Sequence, residues 1–89
     1  MIIEESDFKL ISSSDVDTIF DLELLHTVNP KKGEKRNEFK NVGYGMSLER
    51  CIKVITMYRL DIKESTYSLS SFLKAYKEEC AEIKKLINL

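Results

Sequence analysis

The chain has 89 residues, 43% of them apolar, with one proline, three glycines and no tryptophan. That is material for one small domain spanning 1–89 with a single thin core. A domain of this size buries only about 60–65% of the surface its unfolded chain exposes. The net charge is −1, from 14 Lys and Arg against 15 Asp and Glu. With so little proline and glycine and no low-complexity tract, the chain is not expected to be disordered along its whole length.

The first residues, Met1-Ile2-Ile3-Glu4-Glu5, lack the basic start and long apolar stretch of a signal peptide. No apolar run anywhere approaches a membrane span. The expected setting is therefore a reducing cytosol, with no membrane as partner. Phe8 to Ser12 alternates weakly, as a short strand does, and Ser12 to Asp17 reads as a polar turn. From Ile19 to Val28 the period of two is clearer. Phe20, Leu22, Leu24 and Val28 fall on one face, and Asp21 and Glu23 on the other with Ile19, Leu25 and Thr27.

Asn29 to Asn37 has the composition of a hairpin loop, where Pro30 fixes the backbone and Gly33 allows a left-handed turn. A third strand is expected from Glu38 to Met46, with Lys40, Val42, Tyr44 and Met46 on one face. Gly43 and Gly45 flank Tyr44, which predicts a bulge or a close backbone approach. Ser47 is a suitable cap for a helix over Leu48–Leu60, with Glu49 favourably placed in its first turn. Leu48, Cys51, Ile52, Ile55 and Tyr58 form its apolar stripe. Asp61–Tyr67 is expected to connect, with Ile62 turned inward. Ser68 then caps a second helix whose stripe is Leu69, Leu73, Tyr76, Cys80, Ile83 and Ile87, broadened by Phe72 and Leu86. The order β-β-β-α-α predicts an α+β fold: a three-stranded antiparallel meander followed by two helices packed on one face. The 3–4 steps of the last stripe also suit a coiled-coil seam, so a homodimer through this helix stays open beside packing on the sheet.

Chemistry is sparse. His26, the only histidine, falls in register with the apolar face of its strand and reads as a structural residue near the sheet edge. Cys51 and Cys80 are too far apart in sequence for a metal or redox motif. On helix stripes they read as buried thiols, a disulfide being the alternative if the helices pack side by side. Gly43-Tyr44-Gly45 lacks the spacing and the lysine of a phosphate loop. No nucleophile motif or metal-spaced carboxylate cluster occurs. The expectation is a protein that is not an enzyme, with no catalytic residue, no cofactor and no metal.

Charge is segregated. Residues 1–30 hold seven acids against Lys9 alone, and residues 31–59 hold eight bases against three acids. Neutralisation across a hairpin is one reading. The other is a contact surface: Lys31, Lys32, Lys35 and Arg36 at the hairpin tip for acidic or phosphate groups, or Asp15, Asp17, Asp21 and Glu23 as mimics of phosphates.

Asn41-Val42-Gly43-Tyr44-Gly45-Met46-Ser47-Leu48-Glu49-Arg50-Cys51-Ile52 and Ser68-Leu69-Ser70-Ser71-Phe72-Leu73-Lys74, preceded by the basic loop, resemble small accessory proteins of bacteriophages and prophages in low-GC Gram-positive bacteria. The resemblance spans residues 18–87. It implies a viral protein that works by binding, for instance an inhibitor used in host defence evasion, as anti-CRISPR proteins are. The expected partner is a host protein, in a nucleic-acid-handling defence complex such as a CRISPR nuclease. A small nucleic-acid-binding module using the basic loop, and a structural homo-oligomer, are the alternatives.

Overall fold

A computed structural model of the chain describes residues 1–13, 16–28, 33, 36–64 and 66–87, with 13, 16–18 and 28 as backbone only. Among these residues four strands, β1 (Ile2–Glu4), β2 (Phe8–Ser13), β3 (Val16–Val28) and β4 (Arg36–Ser47), precede two helices, α1 (Leu48–Lys63) and α2 (Leu69–Leu86). The backbone divides into two compact units, Met1–Leu48 and Glu49–Leu89.

The first unit is an antiparallel sheet in the order β1-β2-β3-β4. It has one strand more than the expected three: Ile2-Ile3-Glu4 pairs with Ile11-Leu10-Lys9. Cross-strand partners Phe8↔Leu24, Leu10↔Leu22 and Phe20↔Met46 put six apolar side chains on one face, and all six are buried. The opposite face carries Lys9, Asp21, Glu23, Leu25 and Phe39, half-buried or more open. There Lys9 Nζ lies 3.7 Å from Glu4 Oε1 and 4.5 Å from the centroid of the Phe39 ring, a cation–π contact.

The expected irregularity around Gly43 and Gly45 is present. The β3–β4 register shifts twice, between Phe20 and Leu22 and again between Leu22 and Glu23. Each shift gives β4 an extra residue and reverses the face taken by the rest of the strand. Lys40, Val42, Tyr44 and Met46 therefore do not share a face as period two predicts: Met46 is buried while Val42 and Tyr44 are exposed. Gly45 sits at φ +61°, where a Cβ is disfavoured, and its N–H donates to Asp21 Oδ1 at 3.1 Å. A Cβ on Gly43 would collide with Met46 Sδ.

In the second unit α1 follows β4 without a loop and continues one turn beyond the expected end, because no glycine or proline interrupts it. Ile62, expected to turn inward from a connector, is instead an exposed helical residue. The buried positions of α1 are Cys51, Ile52, Ile55, Thr56 and Leu60. Ser68 caps α2 as its sequence position indicates: its backbone is extended and its hydroxyl accepts from the Ser71 N–H at 3.2 Å. Tyr67 donates to the Leu60 carbonyl at 2.8 Å and meets Phe72 edge-on, which ties the end of α1 to the start of α2. The buried residues of α2 are Glu79 and Ile83, flanked by half-buried Phe72, Tyr76 and Cys80. Leu69 and Leu73, expected on the core stripe, are exposed. At 100° per residue, the direction shared by Glu79 and Ile83 lies about 80° round the helix from that of the two leucines. The buried face is rotated from the predicted one.

Candidate functional site

The two long strands outrun the rest of the sheet. The last β2–β3 rung is Phe8↔Leu24, with one further bond from the Leu25 N–H to the Asp7 carbonyl at 2.9 Å. From Leu25↔Phe39 to Val28↔Arg36 only β3 and β4 pair. At about 3.3 Å per residue this two-stranded arm reaches about 10 Å past β2. Past β2, β3 and β4 are joined by their own ladder and by cross-strand pairs. Thr27 Oγ1 donates to Asn37 Oδ1 at 3.1 Å, and Arg36 Nε lies 2.7 Å from Glu38 Oε1, both in exposed positions. His26 sits in the arm opposite Glu38 and is half-buried; its Nδ1 lies 3.0 Å from the Leu24 carbonyl, which requires the proton on Nδ1.

The chain between the two strands of the arm is residues 29–35. Of the predicted basic contacts, Arg36 opens β4 at the end of the arm, while Lys31, Lys32 and Lys35 lie outside the described residues. Among the predicted acids, Asp15 also lies outside them, and Asp17 is described as backbone within β3. Asp21 and Glu23 share the sheet face opposite the buried one. Asp21 is engaged by the Gly45 N–H, and Glu23 stands across from Lys9. These two acids are thus built into the sheet face, whereas Arg36 marks a projecting end.

The second unit gathers charges that sequence spacing does not pair. Glu79 on α2 accepts from Arg59 Nη1 at 3.1 Å and Lys63 Nζ at 2.6 Å, both on α1. Its side chain is 7% exposed, that of Arg59 14% and that of Lys63 59%. Burial pushes the Glu79 carboxyl up, but hydrogen bonds from Lys63 and Arg59 and their positive charges outweigh it, so the group stays below the usual carboxylate range. The hydrogen bond to Glu79 raises the Lys63 ammonium in turn. Beside this cluster, buried Thr56 donates to the Ile52 carbonyl at 2.7 Å and lies 3.3 Å from Cys80 Sγ. Among the described residues no buried side-chain nitrogen or oxygen lacks a partner.

Cys51 is buried and Cys80 half-buried, and both are free thiols rather than a disulfide. Burial raises the Cys51 thiol above its ordinary value. Cys80 borders an open hollow of about 260 Å3 between the helices, lined also by Glu49, Ile52, Lys53, Tyr76 and Lys84. Burial likewise raises the Tyr76 hydroxyl. Among the described residues no three His, Cys, Asp or Glu side chains stand together as metal ligands would, and no helix is long and apolar enough to cross a membrane.

Glu79 is the residue whose role the spacing conceals. The signal is nevertheless present: an acid inside the apolar run Tyr76, Cys80, Ile83, with Arg59 and Lys63 four residues apart on the preceding helix. No protein-family model, curated protein or solved structure matches the chain.

Proposed function

We propose that the chain is a non-enzymatic phage or mobile-element accessory protein that binds a host protein in the bacterial cytoplasm. Its target class is a nucleic-acid-handling defence complex such as a CRISPR nuclease. The observation that carries this reading is the arm: β3 and β4 extend past β2 and lead into the segment with Lys31, Lys32 and Lys35, next to Arg36. Cations at the end of a protruding ribbon can enter a concave acidic or phosphate-lined site that a flat sheet cannot. The resemblance to phage accessory proteins supplies the setting. The acidic alternative has less support, since Asp21 and Glu23 face partners within the sheet.

The test replaces Lys31, Lys32, Lys35 and Arg36 together by alanine and compares capture of host proteins by the variant and the parent at several salt concentrations. Bands captured by the parent should fall at least about tenfold with the variant and weaken with salt, as steered charge contacts do. Equal capture by the variant would overturn the assignment of the arm. A nucleic acid is the second reading that the same arm supports. In that case a mobility shift at low salt should weaken in the variant, and its log–log salt slope should flatten by about 0.9 per lost phosphate contact.

Assembly through α2 is supported by exposed Leu69 and Leu73. Two apolar side chains on one helix are a small patch for a stable dimer, so this reading ranks below binding by the arm.

A further inference from the structure

We infer that the outer edge of β4 is a self-pairing surface, joining two copies of the chain antiparallel about a two-fold axis at Phe39 into one continuous eight-stranded sheet. The inference concerns the side of the strand, not the basic tip, and does not depend on the proposed function.

β4 ends the sheet order, so among the described residues one of its edges has no strand beside it. The other edge strand, β1, is only three residues long and offers little to pair with. In β4, the stretch from Arg36 to Asn41 keeps a regular register with β3, since both bulges fall beyond it. The direction of its backbone groups is set by β3. The Leu25 N–H points to β2, where it meets the Asp7 carbonyl. Successive residues of a strand alternate sides, so Leu25↔Phe39 is a rung without hydrogen bonds between β3 and β4. Asn37, Phe39 and Asn41 therefore turn their N–H and C=O groups to the open edge, while Glu38 and Lys40 bond inward to β3.

The side chains along this edge are self-complementary when the strand is reversed, with Glu and Lys exchanging places about a central Phe. Residues 37–41 are Asn-Glu-Phe-Lys-Asn. An antiparallel partner centred on Phe39 puts Phe39 against its own copy, Glu38 against Lys40, and Asn37 against Asn41. Those same pairs bring the outward backbone groups into register: 39 with 39, 37 with 41 and 41 with 37 each form a doubly bonded rung. Moving the axis to Glu38 would set Glu38 against itself and Arg36 against Lys40, which like charges oppose. An edge lysine ordinarily guards a sheet against self-association. Here the two-fold places Lys40 opposite a carboxylate, so the guard works against other registers and favours this one. This complementarity, in charge and in backbone register at once, points to a second copy rather than a foreign strand.

The test is sedimentation of the full chain with four sets of variants. The parent should be a dimer. E38K and K40E alone set two like-charge pairs across the axis and should each weaken the dimer by about tenfold or more. An equimolar mixture of E38K and K40E should restore it as a heterodimer, because both pairs are then opposite in sign. The double variant E38K/K40E should dimerise as the parent does. L69E/L73E, on α2, should leave the dimer intact. A parent monomeric at high micromolar concentration would overturn the inference. So would single variants that dimerise normally, or a mixture of folded single variants that stays monomeric. Loss of the dimer in L69E/L73E with E38K unaffected would move the interface to α2 and overturn it as well.

Discussion

Replacing Glu79 by alanine is expected to lower the unfolding free energy by about 3 kcal/mol, the cost typical of removing one partner from a buried ion pair. The reason is asymmetry. In the folded chain Arg59 is 14% exposed in its side chain and gives a hydrogen bond to Glu79 at 3.1 Å. Without the carboxylate that guanidinium keeps its desolvation and loses a compensating charge. Lys63, at 59% exposure, can return to water, so K63A should cost only about 0–1 kcal/mol, as exposed pairs do. A domain of this length has about 4–13 kcal/mol in total, so the loss at Glu79 is a large share. It should appear as a fall in Tm of more than about 10 °C. Thermal and urea unfolding followed by circular dichroism would read it. Replacing both Glu79 and Arg59 by apolar residues of similar volume, E79L/R59M, should recover part of the loss, since no charge is then stranded. A variant E79A as stable as the parent would mean that the cluster contributes nothing.

The same cluster fixes a pH dependence. Folding holds Glu79 below its ordinary range, so its contribution is complete above the unfolded value of 4.5. It is lost as pH falls through the lower folded value, because the folded state must then take up a proton that the unfolded chain already holds. Lys63 runs the other way. Its ammonium is raised above 10.5, so its contribution is complete below that value and lost as pH rises through the higher folded one. Stability from this pair should be flat through neutral pH and fall at both extremes. In E79A the acid-side fall should shrink, which unfolding curves at pH 7 and in the acidic range would compare.

Period two in Ile19–Val28 is a sufficient signal for β3, and the Ser68 cap marks the start of α2 to the residue, because both signals are local. β1 carries no such signal. Three residues cannot display a period, and Ile2-Ile3-Glu4 becomes a strand only because β2 stands next to it. The glycines announce a bulge, but a bulge changes which face later residues take, and one strand's sequence does not contain the partner's register. That is why period two groups Val42 and Tyr44 with Met46, although only Met46 is buried. On the site side, the basic loop is visible as composition, but the reach of β3 and β4 past β2 depends on β2 being six residues long against thirteen in β3. Pairing between Glu79 and Arg59 joins residues twenty apart, outside the reach of any i, i+4 rule.

Helix α2 offers the sharpest comparison, because two of its apolar residues are expected to respond in opposite ways. The spacing Leu69, Leu73, Tyr76, Cys80, Ile83 treats Leu73 and Ile83 as equivalent members of one stripe. In the folded chain Ile83 is fully buried and Leu73 is 51% exposed. Truncating a buried Ile to alanine loses its transfer energy and leaves a cavity, about 2–5 kcal/mol together. Truncating a half-exposed Leu loses roughly half of a side-chain burial of about 1.5–3 kcal/mol and leaves no closed cavity. I83A should therefore lower stability by about 2–5 kcal/mol and L73A by about 1 kcal/mol, both read from urea midpoints at unchanged m-value. Equal losses would return Leu73 to the core and restore the single stripe. A larger loss at Ile83 places the helix's buried face between Glu79 and Ile83 and leaves the Leu69–Leu73 edge open. That same rotation explains the ion cluster. The face that buries Ile83 also carries Glu79 one turn earlier, where an unpaired carboxylate would be costly and Arg59 and Lys63 meet it.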